Sequence, residues 1–197
     1  MEILMQECGR YRTNCYILSL NNKEIIIDPG ENAFSWICKN ATNPIAILNT
    51  HGHFDHIYNN FEVKNKFNIP IYAPKEDAFM IEKDIFDLGY KTIKIDVKTH
   101  DGEMFKIGDF KVKFHHFPGH TPGCSMIEIG KYMFSGDFLF YNSIGRYDFP
   151  YSNVDDMKKS LLKCSEIKDD FILFPGHGRS STLKDEQKNF KTWIDRI

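Results

Sequence analysis

The run His51-Gly52-His53-Phe54-Asp55-His56 follows a short apolar strand expected over residues 45–49, and its reading decides the rest of the chain. Three of the eight histidines fall within these six residues. A strand-to-helix loop is rich in exposed backbone turns, so closely spaced side chains there can converge on one point. His51 and His53, two apart, face the same way if the loop stays extended, while Asp55 and His56 address a neighbouring point. The run therefore offers two imidazoles to one metal ion, and a carboxylate plus an imidazole to another. Imidazole suits zinc and iron, and an added carboxylate oxygen admits harder ions such as manganese. A solvated polar loop accounts for a single histidine. It does not account for four ligand-type side chains in the order H-x-H-x-D-H.

Further candidates sit at the ends of other expected strands. His120 rides a tight turn between Phe117-Pro118-Gly119 and Thr121-Pro122-Gly123. Asp137 follows Gly136 after an expected strand over 132–135, and His177 lies in Pro175-Gly176-His177-Gly178, again straight after a strand. Each is flanked by Gly or Pro and placed where a loop at one edge of a sheet projects it inward. His100, in the turn Lys98-Thr99-His100-Asp101-Gly102, and the pair His115-His116 inside a strand lack this pattern and are read as structural or solvated. No Ser-His-Asp or Cys-His arrangement is visible.

The 197 residues suit one domain spanning 1–197. Hydrophobic residues at 42% against 26% charged allow a sizeable core, and a net charge of −2 argues against a polyanionic partner such as nucleic acid, which leaves a basic footprint. The first seven residues carry neither a basic segment nor a sustained apolar stretch, and no run approaches the roughly 20 apolar residues of a membrane span. Neither a signal peptide nor a membrane association is expected. The five cysteines (Cys8, Cys15, Cys38, Cys124, Cys164) are odd in number, scattered and without C-x-x-C. They read as small buried hydrophobes in a reducing, cytoplasmic setting rather than as a disulfide framework.

Strands are expected over 15–19 and 24–28 around the turn Asn21-Asn22, over 103–107 and 110–117 around Gly108-Asp109, and over 125–129 and 132–135 around Gly130-Lys131. Single strands are expected over 69–72 and 171–174. Helices are expected over 31–40, 57–67, 74–84, 153–167 with Asn153 as cap, and 183–197. Consecutive hairpins in both halves, with helices between them, predict an α+β fold: two mixed sheets packed face to face with helices outside.

Taken together, His51-x-His53-x-Asp55-His56, His120, Asp137 and His177 resemble the metallo-β-lactamase superfamily in every ligand position and in order, over roughly residues 16–179. The resemblance implies an αββα sandwich with the metals at one edge of the two sheets. Carried over by position, it implies one ion held by His51, His53 and His120, a second held by Asp55, His56 and His177, and Asp137 bridging both. Asp28, in Asp28-Pro29-Gly30, matches a family position that orients a ligand histidine. The commonest zinc β-lactamases place a cysteine at a second-metal position, whereas this chain has Asp137, which favours the glyoxalase II and phosphoesterase branches. The segments Asp137-Phe138-Leu139-Phe140 and Ser143-Ile144-Gly145-Arg146-Tyr147-Asp148 look like the small, single-domain glyoxalase II-like hydrolases. Arg146 falls where those proteins carry a basic residue that meets the glutathione carboxylate, with Tyr147 beside it as a second substrate-binding candidate. A guanidinium binds a carboxylate in bidentate fashion. An arginine tying down its own loop through Asp148 is the other reading. Full-length glyoxalase II proteins continue into a helical C-terminal domain, and here about one helix follows His177.

The resemblance thus implies a metal-dependent hydrolase, a glyoxalase II-like thioesterase cleaving S-lactoylglutathione or a related thioester. Its cofactors are expected to be two divalent metal ions, zinc first, with iron or manganese as alternatives. Water bridging two cations loses its proton near neutral pH, and the hydroxide attacks a carbonyl carbon, with Asp55 as both ligand and orienting group. A mononuclear-iron persulfide dioxygenase built on His51, His120 and Asp137 is one alternative, disfavoured by the retention of Asp55, His56 and His177. A phosphodiesterase or nuclease on the same ligands is another, disfavoured by the lack of basic clusters. The expected partner is a small-molecule substrate, with a glutathione thioester as the leading candidate.

Overall fold

The three consecutive isoleucines Ile25-Ile26-Ile27 leave a strand no polar face, so it must be covered on both sides. The computed structural model, which describes residues 1–197, provides that cover. Successive side chains point to opposite faces of a strand. Ile25 and Ile27 accordingly enter a layer between two sheets, while Ile26 enters a layer beneath helices. The neighbouring strands alternate the same way, with Tyr16 and Leu18 inward and Cys15 and Ile17 outward.

The first sheet has the order β1 (Glu2–Cys8), β2 (Thr13–Leu20), β3 (Lys23–Ile27), β4 (Pro44–Leu48), β5 (Ile71–Pro74) and β6 (Val97–Thr99). Its first three strands are antiparallel and β3 to β6 run parallel. The second sheet has the order β14 (Ser181–Thr182), β13 (Ile172–Pro175), β10 (Tyr132–Gly136), β9 (Ser125–Ile129), β8 (Phe110–His116) and β7 (Met104–Ile107), with β10 and β13 as its one parallel pair. A small hairpin, β11 (Leu139–Phe140) and β12 (Ser143–Ile144), follows β10.

Between the sheets, Leu18, Ile25 and Ile27 pack against Phe110, Phe114 and Phe134. Outside the first sheet lie α1 (Ala33–Asn40), α2 (Phe54–Ile57), α3 (Asn60–Phe67) and α4 (Ala78–Ile81), which lay Ile37, Ile57, Val63 and Ile81 over Ile17, Ile26 and Ile47. Outside the second lie α5 (Val154–Ser165), α6 (Leu183–Gln187) and α7 (Phe190–Arg196), with Met157, Leu161, Leu183 and Phe190 over Met126, Met133 and Leu173. The layers run α/β/β/α, the sandwich of two mixed sheets read from the sequence. Each isoleucine so enclosed contributes about 1.5–3 kcal/mol by leaving water. Asn153 caps α5 as expected, accepting from the Asp156 amide at 3.0 Å.

Several elements differ from expectation. The helix expected over 57–67 starts at Phe54 and breaks before Asn60, because the Asn59 amide donates to Pro29 O at 2.8 Å instead of continuing the helix. The helix expected over 74–84 shrinks to a 3-10 turn (Lys75–Asp77) and the single turn α4, since the Asp77 side chain is drawn into other loops. The last helix divides where Lys188 and Asn189 donate three residues back rather than four, which tightens the chain and ends α6. β1, β6 and β14 were not expected; β1 is half exposed and pairs with β2 as an edge strand. Four cysteines are buried as expected, but Cys38 is exposed. No helix is long and apolar enough to cross a membrane.

Candidate metal centre

The candidate residues leave the C-terminal ends of strands that point the same way within each sheet. Asp28 follows β3 and His51 and His53 follow β4, while Asp55 and His56 stand on the single turn α2. In the second sheet His120 follows β8, Asp137 follows β10 and His177 follows β13. Close backbone approach makes this convergence possible. A Cβ at Gly176 would lie 2.1 Å from Asp137 Oδ1 and 2.6 Å from His56 Cε1, and one at Gly136, where φ is +50°, would meet Thr50 Oγ1 at 2.4 Å.

All seven expected ligands come together in one place. The donor atoms of His51, His53 and His120 lie within 4.8 Å of one another, as do those of Asp55, His56 and His177. Asp137 stands between the groups, with Oδ2 3.4 Å from both His120 Nε2 and His177 Nε2 and Oδ1 3.3 Å from His56 Nε2. Zinc bonds of 2.0–2.1 Å in tetrahedral array put neighbouring ligand atoms about 3.3 Å apart, so these spacings suit such an ion.

The hydrogen bonds decide which ring nitrogen faces inward. His56 Nδ1 meets Asp28 Oδ2 at 3.0 Å, His120 Nδ1 meets Arg146 O at 2.8 Å, and His177 Nδ1 meets Tyr11 O at 3.0 Å. His51 Nδ1 meets Thr50 Oγ1 at 3.1 Å, and that hydroxyl donates to Asp28 Oδ2 at 2.6 Å. With Nδ1 engaged outward, each Nε2 faces the centre and can offer a lone pair to a cation that displaces any proton on it. His53 is the exception, turning Nδ1 toward His120 Nε2 at 2.9 Å. Three buried atoms of this set, His51 Nε2, His56 Nε2 and Asp137 Oδ1, have no hydrogen-bond partner. Buried polar atoms without partners are costly, and cations at the two groups would satisfy all three. The residues present fit a pair of divalent ions.

Charge inside the donor set is balanced by protons unless cations replace them. Burial holds His51 well below the usual histidine range, aided by the neighbouring His56; burial also lowers His120 and, with His120 nearby, brings His53 down to about 3. Burial likewise opposes protonation of His56 and His177, but Asp137 and Asp55 outweigh it. They push His56 well above its ordinary value and His177 up to about 9. Burial pushes both carboxyls up, yet the charge of His56 and the hydrogen bond of His177 bring Asp55 to about 2 and Asp137 well below its ordinary value.

Two supporting side chains escaped the sequence reading. Thr13 Oγ1 donates to Asp55 Oδ2 at 2.6 Å, and nothing in Thr13-Asn14-Cys15 signals it. Asp77 is fully buried and accepts from Gly52 N, Gly123 N and Thr121 Oγ1, which ties the loop carrying His51 and His53 to the loop carrying His120. Asp28, by contrast, lies where it was expected, bonded to His56 and, through Thr50, to His51.

A cavity of about 450 Å³ opens over the cluster, with His53, Asp55, His120, Asp137 and His177 among its lining. The Arg146 guanidinium grips Asp148 with two 2.8 Å bonds and lies 4.1 Å over the Phe149 ring, so it secures its own loop. Tyr147 departs from expectation: its ring packs on the core beneath the second sheet and is not part of the cavity lining. Among the remaining histidines, His115 pairs with Glu128 at 2.7 Å, His116 bonds Pro122 O, and His100 is exposed, all outside the cluster.

The model of the metallo-beta-lactamase superfamily matches residues 8–177. Among curated proteins, the chain is 32% identical to the hydroxyacylglutathione hydrolase GloC of Haemophilus influenzae, covering 91% of this chain and 92% of that protein. Among solved structures it resembles BLEG-1 B3 metallo-beta-lactamase, with TM-score 0.85, 29% identity and coverage of 95% and 96% of the two chains. It also resembles TTHA1623 in a di-iron-bound form, with TM-score 0.79, 28% identity and coverage of 92% and 95%.

Proposed function

The chain belongs to the metallo-beta-lactamase superfamily, and from that premise we propose that it is a two-metal thioester hydrolase of the glyoxalase II type, cleaving S-lactoylglutathione or a related thioester. The observation that carries this reading is the Asp137 carboxylate, set 3.4 Å from one imidazole of each donor group. A carboxylate so placed suits two ions rather than one, and five imidazoles around it suit zinc, with iron as the alternative. Two such ions, when bound, polarise a carbonyl oxygen and acidify water.

The chain's own residues do the rest. Asp55 stays ionised, with Thr13 Oγ1 holding Oδ2, and accepts a hydrogen bond that aims the attacking water. Asp28 and Thr50 keep His56 and His51 turned with Nε2 inward. Phe149 lies edge-on to His53 and His120 at 6.0 Å and shields that side of the cluster from bulk water. A thiolate leaving group has an ordinary pKa of about 8.5, so the site needs no dedicated acid to expel it. The likeness to a hydroxyacylglutathione hydrolase supports the same substrate chemistry.

Metal analysis of purified protein should find close to two equivalents of divalent ion, and the loaded protein should hydrolyse S-lactoylglutathione. His53→Ala and Asp55→Ala should lose metal and turnover together. Unchanged thioesterase activity in either variant sinks the proposal. So does oxygen consumption with glutathione persulfide in place of thioester hydrolysis.

A further inference from the structure

The walls of the cavity speak to the substrate, provided the site is the thioester hydrolase proposed above. Beyond the candidate ligands, the lining is Tyr11, Phe54, Phe86, Leu88, Phe149 and Pro150. No lysine or arginine lines it. The aromatic rings of the lining contact one another and their neighbours. Tyr11 packs edge-on to Phe54 at 5.3 Å, and Phe86 lies 6.0 Å from Tyr151, which in turn joins Phe79 at 5.0 Å. Tyr11, Phe86, Leu88, Phe149 and Tyr151 make up five of the eleven large hydrophobic residues that the whole molecule exposes. Such residues scattered singly mean little, whereas a cluster round one mouth marks a surface that something apolar covers.

Glutathione brings two carboxylates and an ammonium group, and recognising them calls for charged partners. The one guanidinium of the expected substrate segment, that of Arg146, is already held by both oxygens of Asp148, and that of Arg10 stacks on the Tyr11 ring at 4.8 Å without being part of the lining. We infer that the site selects a thioester carrying an apolar group, a medium-length aliphatic chain or an aryl ring, beside the scissile carbonyl, and that the glutathione carboxylates add little to its recognition. The cavity volume suits such a group, since sites for small organic ligands run from about 300 to 1,000 Å³. Phe149 ties the apolar wall to the reacting end, because it lines the cavity and its ring lies edge-on to His53 and His120 at 6.0 Å.

Two substrate series on the metal-loaded full chain test this. In the first, N-acetylcysteamine carries acetyl, hexanoyl or phenylacetyl. In the second, lactate is esterified to glutathione, to N-acetylcysteamine or to 2-phenylethanethiol. An apolar group that leaves water should raise kcat/KM at least about tenfold over its small counterpart in one series or both. The responding series shows whether the group sits on the acyl or the thiol side. Replacing glutathione by N-acetylcysteamine should cost less than about threefold, since a carboxylate without a charged partner adds little. As a readout independent of turnover, calorimetry should find S-hexyl-N-acetylcysteamine, a non-hydrolysable thioether, bound at least about tenfold more tightly than its S-methyl counterpart. Phe86→Ala and Leu88→Ala should each lower the hexanoyl-to-acetyl ratio of kcat/KM by about threefold or more. Turnover with a flat response in both series overturns the inference and leaves the hydrolase reading standing. A preference for S-lactoylglutathione over its N-acetylcysteamine analogue of about tenfold or more, a full-sized interaction, does the same. Failure to hydrolyse any thioester overturns both.

Discussion

Replacing Asp77 should cost more stability than replacing any exposed acid in the chain. Its carboxylate is fully buried and three donors converge on it: Gly52 N at 2.8 Å, Gly123 N at 2.5 Å and Thr121 Oγ1 at 2.6 Å. Asp77→Ala strands two amides and a hydroxyl, each worth about 1–3 kcal/mol when left buried without a partner. The hydroxyl can turn away, so the expected loss is about 3–5 kcal/mol. At this chain length that lowers Tm by roughly 10 °C. Asp77→Asn keeps the volume and one acceptor but turns an NH2 toward at least one amide, for a loss of about 1–3 kcal/mol. A second signature is pH. Burial raises the Asp77 carboxyl from 3.8 to about 6, so between those values the folded state binds a proton that the unfolded state has released. The stabilisation from that proton is complete below the unfolded value and is lost as pH rises through the folded one. Relative to Asp77→Asn, the parent protein should therefore lose about 1.4 kcal/mol between pH 5 and pH 7.5. Urea unfolding of the three chelator-treated proteins at both pH values measures this. An alanine variant within 1 kcal/mol of the parent, the size of an ordinary surface change, or a parent-to-asparagine gap that ignores pH, refutes the reasoning.

Two further outcomes concern the metal. Asp28→Asn removes an oxygen that serves both Thr50 and His56, and should weaken metal binding about 10–100-fold while leaving the fold intact. Competition against a chromophoric chelator reads this, and an unaltered affinity discards the orienting role. Loading with divalent ions at pH 7 should release two protons from His56 and His177, which carry them in the absence of cations, and up to one more from the water the ions acidify. Both histidines are raised, so release should fall as pH climbs through about 9, where His177 gives up its proton unaided. Calorimetry in two buffers of different ionisation enthalpy counts the protons, and release of none contradicts the charge balance.

The parts of this molecule that were legible in the sequence share a local signature. The hairpins show because Asn21-Asn22, Gly108-Asp109 and Gly130-Lys131 announce their turns within a few residues. The candidate ligands show because each follows a strand and is hemmed by Gly or Pro. What stayed hidden depends on partners remote in sequence. Asp77 reads as an ordinary first-turn acid in Pro74-Lys75-Glu76-Asp77, yet its acceptors serve loops 25, 44 and 46 residues away. The break after α2 depends on Pro29, which no periodicity in 57–67 could reveal. Tyr147 looked like a substrate contact because it adjoins Arg146, but alternation of the chain there sends neighbouring side chains to different surroundings, one to solvent and one to the core.

The distribution of ligands between the sheets bears on why the centre needs so many fixed supports. His51, His53, Asp55 and His56 hang from the first sheet, and His120, Asp137 and His177 from the second. Each donor group draws on both: His120 completes the first, and His177 the second. An ion in either group therefore links the two sheets across the open edge of the sandwich, and its affinity depends on how accurately those edges are held apart. A species that binds only the folded state stabilises it by about 2.7 kcal/mol at a hundredfold excess over Kd. That gain is available only if the ligands do not first have to be ordered. The supports answer this need on both sides. Asp28 and Thr50 lock His51 and His56 of the first sheet, the carbonyls of Arg146 and Tyr11 lock His120 and His177 of the second, and Asp77 bonds the loop carrying His51 and His53 directly to the loop carrying His120. The ring orientations of His51, His56, His120 and His177 and the spacing between sheets are thus set by hydrogen bonds that exist before any cation arrives, so binding energy goes into holding the ions rather than into assembling their site.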